Sequence, residues 1–234
     1  MTREEYVKDL LHVFSVVSVL SKKENKEILR LRHRKLRKDI ILRNYAYRVP
    51  AYAFLRGYEH EDIPLVYDVF DADDGQVVLE EYIDGVTVDE ILKTGKYKYR
   101  GAKTVVYQVC SALSFLHDNG FVHRDIKPGN IIVTKSGVCK LIDFDVARTV
   151  DEHKTADTNV LGTVGYAPPE QYGITQSDGR SDVYALGVLL NVMLTGCHPS
   201  DKLAPGKAGR IVLKCTQINP EKRFSSVKGL QHAL

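Results

Sequence analysis

Apolar positions change their spacing along the chain, from short runs before Gly85 to helical periods after it. The short runs are rich in Val, Ile, Leu and Tyr and are separated by polar turn material such as DADDGQ, which is typical of antiparallel strands. We predict five strands, at residues 14–20, 27–33, 39–44, 65–70 and 77–83. The stretch around Pro50 to Tyr58 is interpreted as a short helix between strands, and SKKENK (21–26) as the polar tip of the first hairpin.

The second part of the chain has mainly helical periodicity. VDEILKTG predicts a short helix, and AKTVVYQVCSALSFLHDNG predicts a long one that ends at a glycine. IIVT and CKLIDF predict two short strands around the turn KSG, and helices resume from Ser181. The uncharged stretch from Val183 to Ser200 contains Asn, Thr, Gly and Pro, so we interpret it as a buried helix and expect no membrane segment within this chain.

These patterns predict an α+β protein with a small antiparallel-sheet lobe (1–82) and a larger helical lobe (83–234), joined near Tyr82–Gly85. Clefts between lobes are favoured ligand sites. The chain ends at GLQHAL, within a predicted helix, which leaves open a longer native protein.

The hydrophobic content, the charge and the cysteines of the chain limit which classes of protein it can belong to. A hydrophobic fraction of 44% in 234 residues is enough for a real core, and a formal charge of +3 implies no nucleic-acid partner. Residues 22–48 nevertheless contain eleven Lys/Arg against three Asp/Glu, which is either a solvated face or a docking surface for an acidic partner. Four widely spaced cysteines without a CxxC motif, and a charged N-terminus without a signal-peptide core, indicate a cytoplasmic protein.

The candidate chemistry lies in HRDIKPGN (123–130), followed by a second carboxylate at Asp143. Asp125, Lys127 and Asn130 offer a carboxylate, an ammonium group and an amide within one loop. Phosphoryl transfer needs a group that orients a hydroxyl, cations that meet phosphate charge, and oxygens that hold magnesium. This set of residues therefore favours a phosphotransferase.

The chain resembles the protein kinase superfamily, and most closely the bacterial Ser/Thr kinases of eukaryotic type. The resemblance rests on five motifs in order: HRD, DFD (143–145), GTVGYAPPEQ (162–171), SDVYALGVLL (181–190) and NPEKRF (219–224). It implies a bilobal fold that binds ATP and Mg²⁺ between the lobes and phosphorylates Ser or Thr in a protein substrate.

The resemblance also implies a role for individual residues. Asp125 orients the substrate hydroxyl, Lys127 steadies the phosphoryl group, and Asn130 and Asp143 hold Mg²⁺. Thr163 shapes the substrate platform. Three residues are implied to be structural: Asp182, which braces the catalytic loop, and the buried ion pair Glu170 and Arg223. The nucleotide-binding residues implied are Arg43, Glu81, Ile83, Ile28, Ile41 and Ile132, and we expect Lys23 and Lys26 to contribute as well.

The sequence departs from the family pattern around the phosphates. The three loop glycines are replaced by Ser21, Lys23 and Lys26, and Arg43 replaces the phosphate-binding lysine. Ala51 falls where the family has the helix glutamate that pairs with that lysine. Glu80 occupies the gatekeeper position on a neighbouring strand, so we predict an Arg43–Glu80 ion pair in place of the usual one. Lysines 22, 23 and 26 would then supply side-chain charge in place of the glycine backbone.

Two further features of the sequence concern the choice of substrate and the regulation of activity. Gly129 replaces an acidic residue that some relatives use to select basic substrates. Thr155 and Thr158 lie between the DFD and GTVGY motifs. Either a phosphate on one of these threonines docks on Arg124, or the segment carries no modification.

Three interpretations remain open at this point. The intact Asp125, Lys127, Asn130 and Asp143 favour an active Ser/Thr kinase. The altered phosphate site favours a pseudokinase that acts as a partner-binding or scaffold module. A small-molecule kinase on the same fold is the third, and the GTVGYAPPEQ platform argues against it.

Overall fold

The computed structural model describes residues 1–149, 165–172 and 178–234. The chain forms two compact units, Met1–Asp84 and Gly85–Leu234. The first is built on a sheet and the second mainly on helices, so the predicted α+β class is confirmed.

The first unit contains a five-stranded antiparallel sheet in the order β1-β2-β3-β5-β4. All five predicted strands are present, with ends that differ from the prediction by up to three residues. Their bounds are β1 Phe14–Lys23, β2 Lys26–His33, β3 Asp39–Tyr45, β4 Val66–Ala72 and β5 Gly75–Glu81. The helices of this unit are α1 Arg3–Val13 and α2 Pro50–Leu55.

Helix α1 covers one face of this sheet. The face buries a core of leucines and valine, namely Leu29, Leu31, Leu42, Val77 and Leu79. Tyr6 of α1 stacks on Phe70 with ring centroids 4.3 Å apart, and its hydroxyl donates to Asp68 at 2.8 Å. The helix begins with a capping box between Thr2 and Glu5. Arg43 and Glu80 lie on the opposite face, because they alternate with Leu42 and Leu79 along their strands.

The hairpin tip is shorter than predicted. Strand β1 continues to Lys23, which pairs with Lys26 at the start of β2, so only residues 24–25 form the turn. None of residues 21–26 has a positive φ. Glycine is needed where the backbone must be left-handed. A regular two-residue hairpin of this conformation therefore forms without one.

The second unit packs its helices around α4 and α5. Its helices are α3 Val88–Thr94, α4 Tyr99–Asp118, α5 Gly179–Thr195, α6 Gly206–Cys215 and α7 Val227–Ala233. Its short strands are β6 Gly85–Thr87, β7 Phe121–Val122, β8 Ile131–Thr134, β9 Cys139–Leu141 and β10 Arg148–Thr149. Most residues of α5 are buried, as predicted, because it runs through the core of this unit. Among the helices that the structure describes, none combines the length and the apolar character needed to cross a bilayer.

Candidate active site

The loop between β7 and β8 brings the three predicted catalytic side chains together. Asp125 Oδ2 accepts hydrogen bonds from Lys127 Nζ at 2.6 Å and from Asn130 Nδ2 at 2.9 Å. Asn130 Nδ2 also donates to the backbone oxygen of Asp125 at 2.8 Å. The short distances are those of charge-assisted bonds. The Asp125 carboxylate is thus fixed in position, with a cation beside it.

Asp182 of α5 fixes the backbone of this loop through hydrogen bonds. Its carboxylate accepts from the backbone N–H groups of His123 at 3.0 Å and Arg124 at 2.8 Å, and it lies 2.8 Å from His117 Nε2. Burial alone would raise the pKa of Asp182, but the hydrogen bond with His117 and the other contacts outweigh burial and hold that pKa below its ordinary value. The buried carboxylate therefore stays ionised and fixes the backbone just before Asp125.

The backbone of the catalytic loop is in an uncommon conformation at Arg124. This residue has a φ of +68°, in the left-handed region that non-glycine residues seldom adopt. Its backbone oxygen accepts a bond from Gln171 Nε2 at 2.9 Å. Together with the Asp182 contacts, this bond holds the strained conformation in place.

Asn130 and Asp143 are suitable for a magnesium ion. The amide nitrogen of Asn130 is used by its two bonds to Asp125, so its Oδ1 is the atom suited to a metal. Ile142 N donates to the Asn130 carbonyl at 2.9 Å, which places Asp143 directly after a residue bound to Asn130. Asp143 also has a φ of +68°. Mg²⁺ commonly uses one or two protein oxygens together with substrate phosphates and water.

Asp143 and Asn130 offer one carboxylate and one amide. In the described part of the chain, no group of three or more His, Cys, Asp or Glu residues is arranged to hold an ion. A zinc-type centre would need such a group. The carboxylate and amide of Asp143 and Asn130 instead suit a hard ion that is shared with phosphate.

The predicted ion pair between Arg43 and Glu80 is present. Arg43 Nε donates to Glu80 Oε1 at 2.7 Å, and the two side chains are only 5% and 3% exposed. Arg43 lies opposite Val78 in the sheet, so Glu80 is its diagonal neighbour on the same face. The acid that pairs with the β3 cation therefore comes from the sheet.

The surroundings of Arg43 explain why a helix does not supply this acid. Helix α2 has only six residues, and Ala51 within it is fully buried. Two tyrosines surround the guanidinium instead. The Tyr45 hydroxyl lies 3.5 Å from Arg43 Nη1, and the Tyr52 ring centroid lies 5.7 Å from the guanidinium carbon.

The other predicted nucleotide-binding residues lie in both units. Ile28 pairs with Arg43 across β2 and β3, and Ile41 lies two residues before Arg43, so these three side chains share one face. Glu81 Oε2 accepts from Leu65 N at 3.2 Å. The remaining residues of this set are Ile83, Lys23 and Lys26 in the first unit and Ile132 in the second.

The predicted pair of Glu170 and Arg223 is bidentate. Arg223 Nη1 donates to Glu170 Oε1 at 2.5 Å and Nη2 donates to Oε2 at 2.9 Å. Ser181 also donates to Glu170. These bonds join the segment before α5 to the segment before α7. Three predicted residues, Thr155, Thr158 and Thr163, lie outside the described residues.

Sequence reasoning missed several contacts of the site. His117 on Asp182, Gln171 on the Arg124 backbone, and Tyr45 and Tyr52 around Arg43 were not predicted. The available signals were the position of His117 at the end of a helix just before the HRD motif, that of Gln171 within APPEQ, and that of Tyr45 two residues after Arg43.

Comparison with known proteins identifies the family. The protein kinase domain family matches residues 13–207. PrkC of Bacillus subtilis, a serine/threonine-protein kinase, is 38% identical over 198 residues, which cover 74% of this chain and 31% of that protein. PknB of Mycobacterium leprae, also a serine/threonine-protein kinase, is 33% identical over 197 residues, covering 71% of this chain and 32% of that protein.

A third relative has higher identity over a shorter stretch. A probable serine/threonine-protein kinase of Clostridium perfringens is 40% identical over 142 residues, which cover 60% of this chain and 21% of that protein. The chain thus spans about a third or less of the length of these curated relatives. Since the family match covers most of the sequence, this chain belongs to the protein kinase family.

Proposed function

We propose that this chain is a Ser/Thr protein kinase domain that transfers the γ-phosphoryl group of ATP to a Ser or Thr hydroxyl of a protein. The observation that carries the proposal is the arrangement of Asp125, Lys127 and Asn130, in which one carboxylate is held by an ammonium group and an amide. This arrangement supplies the positioning that phosphoryl transfer requires.

Each residue of the loop has a defined task in this proposal. Asp125 orients the substrate hydroxyl towards the γ-phosphorus and accepts its proton as the new oxygen–phosphorus bond forms, while the bond from the γ-phosphorus to the bridging oxygen breaks and ADP leaves. Lys127, beside Asp125, meets the negative charge on the phosphoryl oxygens. Asp182 keeps the loop backbone fixed, so little reorganisation is needed during transfer.

Asn130 Oδ1 and the Asp143 carboxylate would hold Mg²⁺. When bound, Mg²⁺ neutralises phosphate charge. Arg43, with Glu80 as its counter-ion, is the proposed replacement for the family lysine. The other proposed nucleotide-binding residues are Ile28, Ile41, Glu81, Ile83, Ile132, Lys23 and Lys26.

Two further proposals concern the surroundings of the domain. Use of ATP and the four free cysteines are compatible with a cytoplasmic domain. An acidic partner for residues 22–48 would have to bind the lysines of this segment or its exposed arginines, Arg34, Arg37 and Arg48. Its arginines Arg30 and Arg32 already pair with Asp39, and Arg43 pairs with Glu80.

Transfer of label from γ-labelled ATP to myelin basic protein tests the function. We expect Mg²⁺-dependent transfer, with Asp125→Asn reducing it by about 10²–10⁴-fold because the general base is lost. Asp118→Asn is the matched control, since Asp118 is an exposed aspartate that pairs with Lys228 outside the loop. No transfer to this or a mixed Ser/Thr peptide acceptor would contradict the proposal and favour a partner-binding module.

A further inference from the structure

A cavity of about 540 Å³ lies in the second unit beside the catalytic loop. Helix α3 and the segment after it form one side, Val192 and Gly196 of the α5 end form another, and Pro128 and Tyr166 contribute to the wall. Pro128 follows Lys127 directly, and Lys127 is bonded to Asp125. The wall of the cavity therefore includes the residue that follows the proposed catalytic lysine.

The end of α5 makes room for a lysine in this cavity. Gly196 terminates α5 with a φ of +74°, a conformation that glycine adopts readily. A Cβ atom at this position would lie 2.9 Å from Lys96 Cε. The aliphatic part of Lys96 thus passes closely over Gly196 and brings its ammonium group to the edge of the cavity.

The charges around the cavity do not cancel. Lys93 Nζ lies 3.1 Å from Asp89 Oδ2, so these two residues neutralise each other. Burial, together with the nearby Asp89 carboxylate, raises the pKa of Tyr166 to about 12, so the phenol is neutral. Within the described ranges, no hydrogen bond or ion pair involves the Lys96 side chain, and Gly129 adds no acid beside Pro128. The net charge of these lining residues is positive.

We propose that this cavity binds the residues next to the phosphoacceptor in the protein substrate and that Lys96 selects an acidic side chain there. The apolar groups of Leu92, Pro128 and Val192 can pack against the stem of that side chain, while its carboxylate pairs with Lys96. The inference rests on the proposed kinase function, because it places the cavity beside the reacting hydroxyl. It assigns an acid-directed substrate class to this chain.

Peptide binding tests the inference without requiring catalysis. Two fluorescein-labelled 11-residue peptides would carry Ala in place of the acceptor Ser, with Glu on both sides in one and Lys on both sides in the other. We expect fluorescence anisotropy at low salt to show tighter binding of the Glu peptide, and Lys96→Glu to weaken that binding by about tenfold. Lys222→Glu, an exposed lysine outside the cavity, changes the net charge equally and should leave binding unchanged.

A second variant tests the same preference from the catalytic loop. A Cβ atom at Gly129 would meet nothing within 4 Å, so Gly129→Glu fits the loop sterically. We expect this variant to reverse the preference and to bind the Lys peptide more tightly than the Glu peptide. Equal binding of both peptides by the wild type, or no effect of Lys96→Glu, would overturn the inference.

Transfer to myelin basic protein separates this inference from the proposed function. If transfer occurs but phosphorylation of Ser peptides shows no preference for flanking Glu over Lys, the cavity assignment is wrong and the kinase function stands. If transfer never occurs but the Glu peptide still binds through Lys96, the kinase function fails and the acid-selective site stands.

Discussion

The Arg43–Glu80 pair shows how one substituted position is compensated by another. The pair was predictable because the family resemblance places the strand of Glu80 beside that of Arg43, and Glu80 is the nearest acid that this arrangement offers. Tyr45 lies two residues after Arg43 on the same strand, so the strand period did indicate that the two share a face. Tyr52 was not predictable as a partner, because its ring reaches Arg43 through packing that no local pattern encodes. His117 was missed for the same reason, since it meets Asp182 across 65 positions of sequence.

Removing one member of the Arg43–Glu80 pair should strongly destabilise the protein. Glu80→Leu removes the 2.7 Å charge-assisted bond from the buried guanidinium, so we expect a loss of about 3–5 kcal/mol in the free energy of unfolding. The double variant Arg43→Met with Glu80→Leu should be more stable than Glu80→Leu alone, because an apolar pair needs no charge compensation. Urea denaturation of the wild type, both single variants and the double variant gives the coupling energy.

An exposed pair on the same sheet is the control for this cycle. Lys22 Nζ lies 3.2 Å from Glu27 Oε1, and the lysine side chain is 76% exposed. Glu27→Leu should change the free energy of unfolding by at most about 1 kcal/mol. Additive effects of the Arg43 and Glu80 substitutions would show that the two side chains do not stabilise each other.

At the scale of elements, the strands were predictable and the first helix was not. The strands have strong runs of β-branched and aromatic residues with clear turns between them. Helix α1 begins in the charged stretch MTREEYVKD and contains no fully buried residue, so its apolar pattern is weak. The visible signal was the Thr2–Glu5 capping box, which marks a helix start. Packing of α1 on the sheet depends on residues far along the chain, such as Phe70.

Asp39 at the start of β3 should make the β2–β3 hairpin sensitive to acid. The hydrogen bond from Arg32 is the largest cause that lowers the pKa of Asp39 to about 2; burial opposes it and Arg30 adds to it. A carboxyl group with a depressed pKa stabilises the fold above its ordinary pKa, and this contribution is lost as the pH falls through about 2. We expect carboxyl ¹³C NMR to give a midpoint near this value in the wild type and a higher one in Arg32→Gln.

The Asp39→Asn variant completes this test. It cannot titrate at position 39, so its stability should fall less steeply than that of the wild type between the ordinary carboxyl pKa and the lowered one. A wild-type midpoint in the usual range for aspartate would contradict the paired arrangement of Asp39.

The hairpin tip should contribute charge to nucleotide binding even though it has no glycine. Lys23 and Lys26 face each other in the register at the end of β1 and β2. We expect Lys23→Ala with Lys26→Ala to weaken Mg-ATP binding by up to about tenfold, with a smaller effect at high salt because exposed charges are screened. Calorimetric titration at low and high salt measures this. Lys35→Ala with Lys38→Ala, in the turn after β2, is the matched control, and equal affinities of both double variants would rule out a role for the tip.

At the scale of the whole molecule, the motif order predicted the family and the fold class, and both are confirmed. The motifs identify the fold because all five occur in the order in which this family has them. They do not describe the region where Arg43, Glu80 and the tip depart from the family pattern; there the Arg43–Glu80 pair is present in the structure, and nucleotide binding by the tip stays a prediction. Arg43 belongs to the first unit, whereas Asn130 and Asp143 belong to the second.

Magnesium and nucleotide together should raise the thermal stability of the chain. A ligand at about 100 times its dissociation constant adds about 2.7 kcal/mol, which corresponds to a rise in Tm of about 5–10 °C for a chain of this size. We expect this rise in thermal melts with a non-hydrolysable ATP analogue and Mg²⁺, and a smaller one with the analogue and EDTA. Asp143→Asn should remove the difference between the two conditions, because an amide binds Mg²⁺ more weakly than a carboxylate and Asn tolerates the φ of +68°. Asp118→Asn should retain the difference, and an Asp143→Asn variant that also retains it would show that Asp143 does not bind the metal.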